Sequence, residues 1–378
     1  MRSSLVFLSL ALIAGGLCGW TPALAAEPLK IGMVTSITGV GAESGLYQKQ
    51  GAQLAVEAVN KAGGVLGRQV ELVTEDDQTT NPGTVLAFSK LAGDRSIPAF
   101  IGEIRSTQLH AIEPDVRKLG KPVMIGGTDP VLTHMDEPWF FRFRPNDTYS
   151  ARVIADYGVN VLGKKKWAIV HSTDAFGTNG MKNLVADLKA RGIEPVLVQG
   201  YTNKSEDFTP VALAVKQSGA DVMGTYFTYE ADLGIFAKQL AQLGVRIAWV
   251  GSPSTVTVTA MNLAGEALYG TFAVTDFNRD SSAAAKSYAA RYEAAYHVPP
   301  DIFSSWAYDA VTVLCLAINN AKSLEPEKIR QAILAVKGFP GAEGTYNFDK
   351  NGDGLHGYNI VRNRSGTIVF DKHIEFKD

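Results

Sequence analysis

The chain predicts an α/β fold of two domains built on one plan, each a parallel sheet covered by helices on both faces, with a cleft between them. Three observations predict it. Short apolar runs alternate with segments whose apolar residues recur at helical spacing, which is the signature of parallel strands joined by helical crossovers. The alternation comes in two successive series, similar in plan though not visibly repeated in sequence. The apolar runs also end in loops, several rich in Gly, Ser and Thr, on the edge of an open α/β sheet where ligands bind. With 378 residues, 46% of them hydrophobic, the chain can fill two ordinary cores.

The N-terminus reads as an export signal. Arg2 gives a positive start, Leu5 to Leu17 is an apolar run too short for a comfortable membrane span, and Ala23-Leu24-Ala25 is a small-x-small cleavage site. Residues 1–25 are therefore expected to be removed, leaving a mature chain that begins near Ala26. Cys18 follows Leu17, where lipid attachment would need a small residue. No later run of membrane-crossing length is expected, so the product is read as soluble and exported.

The first series starts with Leu29 to Val34, a strand, followed by the loop TSITGVGAESGLY. A helix is expected from about Gln48 to Ala62, with Ala52, Ala55, Val56 and Val59 on its apolar face. Val70 to Val73 is the second strand. Asn81-Pro82 opens a helix that runs through Leu91, and Ala99 to Ile101 is the third strand. The second series begins after FRFRPND. Strands are expected at Trp167 to His171, Pro195 to Gln199, Val222 to Phe227 and Ala248 to Val250. Helices at Met181 to Arg191, Thr209 to Ser218 and up to Leu243 separate them. In the less regular tail, Thr271 to Val274 reads as a strand. Helices follow at Ala283 to Tyr296, Ser304 to Asn319 and Glu327 to Ala335, and strands close the chain near 345–348, 359–362 and 367–370.

Composition and motifs exclude several functions. A net charge of −2 gives no electrostatic footprint for nucleic acid. After cleavage only Cys315 remains, in the apolar run AVTVLCLAI, so no internal disulfide is expected and the thiol reads as core. The six histidines are not spaced as metal ligands, and His171 reads as a rim or packing residue. Gly39 to Gly45 nearly matches a dinucleotide fingerprint, but Ser44 stands where the third glycine belongs. Asp349 to Gly354 resembles the start of a calcium loop. Its twelfth position is Ile360 where a bidentate Glu is needed, so it reads as a tight turn. No nucleophile elbow occurs. Catalytic residues, metals and cofactors are therefore not expected.

The richest stretch is IGEIRSTQLHAIEPDVRKLGKPVMIGGTDP, Ile101 to Pro130. One strand ends at Gly102, and its loop carries Arg105, Ser106 and Thr107. The next strand ends at Gly126-Gly127-Thr128. Hydroxyls, a helix start with free N–H groups and one guanidinium thus collect at one sheet edge. Without a nucleophile–base pair, that chemistry grips a small carboxylate. In the second half, Tyr226, Phe227 and Tyr229 cluster at a strand end. Tyr229, past the strand proper, is expected to face the cleft.

The segments ITGVGAESG, AVEAVNKAGGVLGRQVEL, EDDQTTNP, IGEIRST and YNFDKNGDG appear in an order that resembles the branched-chain amino-acid-binding proteins of ABC importers, the type I periplasmic binding family. The resemblance spans the mature chain. It implies two Rossmann-like, three-layer lobes that close over a ligand about a hinge, the motion by which periplasmic binding proteins enclose their solutes. Three crossings are implied, near Arg144–Asp147, Thr275–Asn278 and Lys350–Gly354. The N-terminal lobe would hold residues 26–146 and 276–351, and the C-terminal lobe 147–275 and 352–378. By position, Ser106 and Thr128 match hydroxyls on the ligand, Gly127 a backbone contact to its amino group, and Tyr229 an aromatic residue from the second lobe.

Three positions depart from that pattern. Ser44 replaces a tyrosine, Phe176 in DAFG replaces another, and Gly251 to Ser254 lacks the acid expected to pair with a ligand ammonium. A buried ammonium without an anion is costly. The departures leave carboxylate capture intact, with Arg105 available for a bidentate contact and Ser254 at the cleft. The expected protein is a periplasmic, monomeric, non-enzymatic binder working with an inner-membrane ABC permease. Its ligand would be an aliphatic amino acid or an aromatic or other organic acid; a ligand-sensing receptor lobe is the alternative role.

Overall fold

The computed structural model describes residues 27–135 and 138–376. The expected leader, residues 1–25, lies outside them. The first lobe runs β1 (Leu29–Thr35), α1 (Ala42–Lys61), β2 (Val70–Asp76), α2 (Asn81–Gly93), β3 (Phe100–Ile101), α3 (Ser106–Leu119), β4 (Val123–Ile125), α4 (Val131–His134) and β5 (Phe140–Arg142). Its five strands form a parallel sheet in the order β2-β1-β3-β4-β5.

The second lobe runs α5 (Asp147–Asp156), β6 (Trp167–Ser172), α6 (Ala175–Ala190), β7 (Leu197–Tyr201), α7 (Thr209–Gln217), β8 (Val222–Tyr226), α8 (Glu230–Gln242), β9 (Ala248–Gly251), α9 (Val258–Ala264) and β10 (Phe272–Thr275). The chain then supplies α10 (Ala283–Tyr296), α11 (Ile302–Ala321), α12 (Pro326–Leu334) and the short pair β11 (Phe339–Pro340) and β12 (Thr345–Tyr346). It ends with β13 (Gly357–Arg364) and β14 (Thr367–Glu375), which join the second sheet. That sheet has the order β14-β13-β10-β9-β8-β6-β7, with β13 alone reversed and so antiparallel to both β10 and β14.

Side chains mark the helix starts. Thr80 accepts from the N–H of Gly83 ahead of α2, Asn146 from Thr148 ahead of α5, and Asp174 from Gly177 ahead of α6. α1 begins six residues earlier than periodicity predicts. Its first turn, Ala42-Glu43-Ser44-Gly45, is too polar and small to show an apolar face, yet Ser44 and Gly45 are buried against the protein. α5 is missed altogether because polar Asp147, Tyr149 and Ser150 point inward with its aliphatic residues.

α11 corrects one expectation. By length and composition it is apolar enough to cross a membrane. Its sequence is interrupted by Ser304, Ser305 and Asp309, which hid the run. In the fold it is a core helix: α1 packs along it and β3 and β4 touch it. At Gly51 a Cβ would lie 1.9 Å from the Ser304 carbonyl oxygen, so only glycine lets α1 come this close. Cys315 sits in this core, its thiol pushed up to about 12 by burial and therefore unreactive.

The backbone passes between the two sheets three times, at residues 143–146, 276–282 and 347–356. The calcium-like segment belongs to the last of these. Asp349 accepts from the N–H groups of Asn351 and Asp353, forming the expected turn. Asp353 turns inward onto Arg142 at 2.7 Å, so its carboxylate is committed to a guanidinium.

Candidate functional site

Both sheets point the carboxyl ends of their strands at the junction of the lobes, and a half-open cavity lies there. From the first lobe it is lined by Ile104, Arg105, Ser106 and Thr128, with Arg144 at the crossing and Ile302 and Phe303 at the start of α11. From the second lobe come Phe176, Phe227, Thr228, Glu230, Pro253 and Ser254. Five of the nine sequence-predicted residues, Arg105, Ser106, Thr128, Phe176 and Ser254, therefore line one cavity.

The polar groups have defined roles. Ser106 Oγ accepts from the N–H of Asp129 at 3.2 Å, which leaves its hydroxyl proton free to donate. Thr128 differs: its hydroxyl donates to Asp147 Oδ2 at 2.7 Å, so Oγ1 offers lone pairs to the cavity. Asp147 also accepts from Ser150 at 2.9 Å. Burial pushes Asp147 up to about 7, against the pull of the Thr128 and Ser150 hydroxyls.

Arg105 is buried and held from three directions. Nη1 bonds Glu103 at 2.9 Å and Ser36 at 3.3 Å, and Nη2 bonds Ser44 at 2.7 Å. Burial works against its charge, but Glu103 first and Glu230 next hold the guanidinium above its usual range. Among the described residues, Nε has no hydrogen-bond partner. Three of the five N–H donors are thus used, and the Nε proton and one Nη2 proton remain for a ligand. A Cβ at Gly41 would stand 2.3 Å from Nη2, which explains the glycine there.

The other four predicted residues sit around the cavity. Ser44 lies behind the site, orienting Arg105. Tyr229 is buried under that arginine, whose guanidinium carbon is 5.4 Å from the ring centroid. Thr107 Oγ1 accepts from Ala175 N at 3.1 Å, joining α3 to the start of α6 across the lobes. The Gly127 carbonyl accepts from Arg142 at 2.8 Å, and a Cβ there would lie 2.4 Å from Leu109. Of the remaining aromatic residues, Tyr226 is core, its hydroxyl 3.0 Å from Ser150, whereas Phe227 reaches the cavity. His171 is buried, with Nδ1 2.8 Å from the Ser172 carbonyl oxygen, so it is a packing residue.

Sequence reasoning missed Glu230, Arg144 and Phe303, and from the aromatic cluster at the end of β8 it favoured Tyr229, whereas Phe227 is the ring that lines the cavity. Glu230 is the first residue of α8, where an acid looks like an ordinary favourable charge at a helix start. Its carboxyl is raised above the usual range by burial, with Arg105 opposing. Arg144 pairs with Asp276 of the second crossing, Nη2 to Oδ1 at 3.3 Å and Nε to the other oxygen. The one available signal for Glu230 was its place beside Tyr229.

Comparison with known proteins agrees with the fold. The chain is 27% identical over 333 residues to a leucine-, isoleucine-, valine-, threonine- and alanine-binding protein of Pseudomonas aeruginosa, covering 87% of this chain and 88% of the relative. It is 29% identical over 346 residues to Leu/Ile/Val-binding protein homolog 3 of Brucella melitensis, covering 90% and 93%. Among solved structures, a leucine-binding protein of Thermotoga maritima superposes with a TM-score of 0.85 at 23% identity, over 92% of this chain and 99% of that one. A solute-binding protein of R. palustris in complex with benzoate gives 0.83 at 22%, over 91% and 95%. Residues 28–367 match the family model described as periplasmic binding protein, and the chain belongs to that family.

Proposed function

We propose that this protein captures a small carboxylate-bearing solute, an amino acid or another organic acid, in the cavity between its lobes. It delivers the solute unchanged from the periplasm, as a monomer, to an inner-membrane ABC permease. The lobes would comprise residues 26–146 with 276–351 and residues 147–275 with 352–378, moving about the three crossings. The observation that carries the reading is the first-lobe wall. There the free Ser106 hydroxyl and buried Arg105 line the cavity at the start of α3, where N–H groups favour an anion. The names of the relatives support an amino acid. A second reading, an aromatic acid, is supported by Phe176, Phe227 and Phe303 on the cavity wall and by the benzoate-bound relative.

The test is a melting-shift panel of aliphatic and aromatic amino acids and simple carboxylic acids, since a ligand bound only by the folded state raises the melting temperature by mass action. At least one carboxylate should give a saturable shift, and Ser106→Ala should weaken its binding about tenfold or more, as loss of a hydrogen bond to a charged group does. Unchanged affinity in that variant would remove the carboxylate grip.

A further inference from the structure

The cavity carries fixed charges of opposite sign on opposite walls. Arg105 stands on the first-lobe wall and Glu230 on the second. Arg105 is already neutralised locally by Glu103 at 2.9 Å. Glu230 is 5% exposed, and no described side chain outside its own residue hydrogen-bonds its carboxyl; its own N–H is the hydrogen-bond donor in reach. The groups whose charges act on it are Arg105, Glu43 and Asp232, and Asp301 at the start of α11 feels Glu230 in turn. Three of these four are acids. Thr128 adds an acceptor on the facing wall, because its proton is given to Asp147.

A bound carboxylate without a cation would add one more negative charge among these mostly acidic groups, of which Glu230, Asp232 and Asp301 are buried. Buried charges are tolerated only when paired. A zwitterion meets the arrangement differently: its anion takes the Ser106 end, and its ammonium finds the unpaired carboxyl and a hydroxyl acceptor. The loop Gly251 to Ser254, where the family resemblance led us to expect the ammonium's anion, brings only hydroxyls, Ser252 and Ser254, bonded to each other at 2.9 Å.

We propose that Glu230, at the first turn of α8, takes the ammonium end of the ligand and makes this cleft select α-amino acids over their des-amino counterparts. The proposal rests on the reading that the cleft binds a small carboxylate. It assigns specificity to a residue on a different strand end from the loop where the anion was sought.

The experiment is calorimetric titration with matched pairs, leucine against 4-methylpentanoate and phenylalanine against 3-phenylpropanoate, on the full mature protein. Four proteins are compared: the natural chain, Glu230→Gln, Glu230→Asp and Ser106→Ala. The natural protein should prefer the amino acid of at least one pair by a hundredfold or more. Glu230→Gln should cut that ratio at least tenfold, weakening the amino acid while sparing or strengthening the des-amino acid. Glu230→Asp, which keeps the charge, should retain most of the preference and serves if the glutamine variant misfolds. Ser106→Ala should weaken both members of a pair and leave their ratio alone. A natural preference for the des-amino acid, or an unchanged ratio in Glu230→Gln, overturns the proposal. Failure of Ser106→Ala to weaken either member instead overturns the carboxylate reading on which it stands.

Discussion

Thr128 illustrates how a buried neighbour decides what a hydroxyl can do. A threonine has one proton to donate, and here Asp147 holds it at 2.7 Å. While Asp147 is ionised, Thr128 can only accept from a ligand; once Asp147 is protonated, the hydroxyl is released to donate. The same aspartate makes stability depend on pH. Its folded pKa, about 7, lies above the ordinary carboxylate value, so between roughly pH 4 and 7 the folded state holds a proton that the unfolded state has lost. Stability from this group is therefore present at low pH and lost as pH rises through that window. The slope is at most about 1.4 kcal/mol per pH unit. Urea titrations from pH 5 to 8 should show the natural protein losing stability relative to Asp147→Asn as pH rises; parallel curves would reject the assignment. None of this was legible in the sequence. Ser106, Thr128, Phe176 and Ser254 were, because each follows a strand whose end faces the cleft. Asp147 was not, because it belongs to a helix with no periodic apolar signal, and neither was Glu230. A chain read in order shows which residues end a strand, but not which end of one lobe will face which end of the other.

At the scale of elements, closure is carried by α3 and α6. Thr107 of α3 accepts from Ala175 N, the first amide of α6, at 3.1 Å. Further along the same helix, Asn179 Nδ2 donates to Asp129 Oδ2 at 2.7 Å, and that oxygen lies 2.7 Å from His110 Nε2 of α3. These residues do not line the cavity, yet their contacts exist only while the lobes meet in this arrangement. Asn179→Ala should therefore weaken ligand binding without altering selectivity. The expected loss is about 1 kcal/mol, roughly fivefold in Kd, appearing as faster dissociation in stopped-flow traces with an unchanged ratio between ligands. An unaltered dissociation rate would show that α6 contributes nothing to holding the lobes together. The alternation of strands and helices made both elements readable, but α6 begins at Ala175, six residues before the expected Met181, because its first turns, Ala175 to Gly180, are mostly too small and polar to show an apolar face. The pairing across the cleft was not readable, since Asn179 looks like any polar residue on a helix surface.

For the molecule as a whole, the three crossings and the ligand loop form one hydrogen-bonded assembly. Arg142 at the end of β5 uses all its donors. Nε bonds Asp353 at 2.7 Å, Nη1 bonds the carbonyls of Gly127 and Asp129 at 2.8 and 2.7 Å, and Nη2 bonds the Pro130 carbonyl at 3.2 Å and the Thr133 hydroxyl at 2.6 Å. Asp353 in turn accepts from Thr133 at 2.8 Å and Asn146 at 3.0 Å, tying the third crossing to the first. The first is tied to the second through Arg144 and Asp276, whose carbonyl also receives Asn359 of β13 at 2.7 Å. The loop that presents Thr128 is thus fastened to the crossings by Arg142, by Arg144 Nη1 on the Gly126 carbonyl at 3.2 Å and by the Asp147 N–H on the Thr128 carbonyl at 2.8 Å. Asp353→Ala would leave Arg142 buried and unpaired, and loss of one partner of a buried ion pair costs about 3–5 kcal/mol. The isosteric Asp353→Asn keeps the acceptor toward Nε and should cost less. Asp353 lies outside the cavity, so a purely local role predicts a change in melting temperature alone. The shared arginine predicts more: ligand affinity should fall in both variants, further in alanine than in asparagine, because one of the anchors of the 127–130 loop is weakened. Measuring Kd at a temperature where both variants remain folded separates the two. Affinity equal to that of the natural protein would confine Asp353 to stability and break the link between crossing and site.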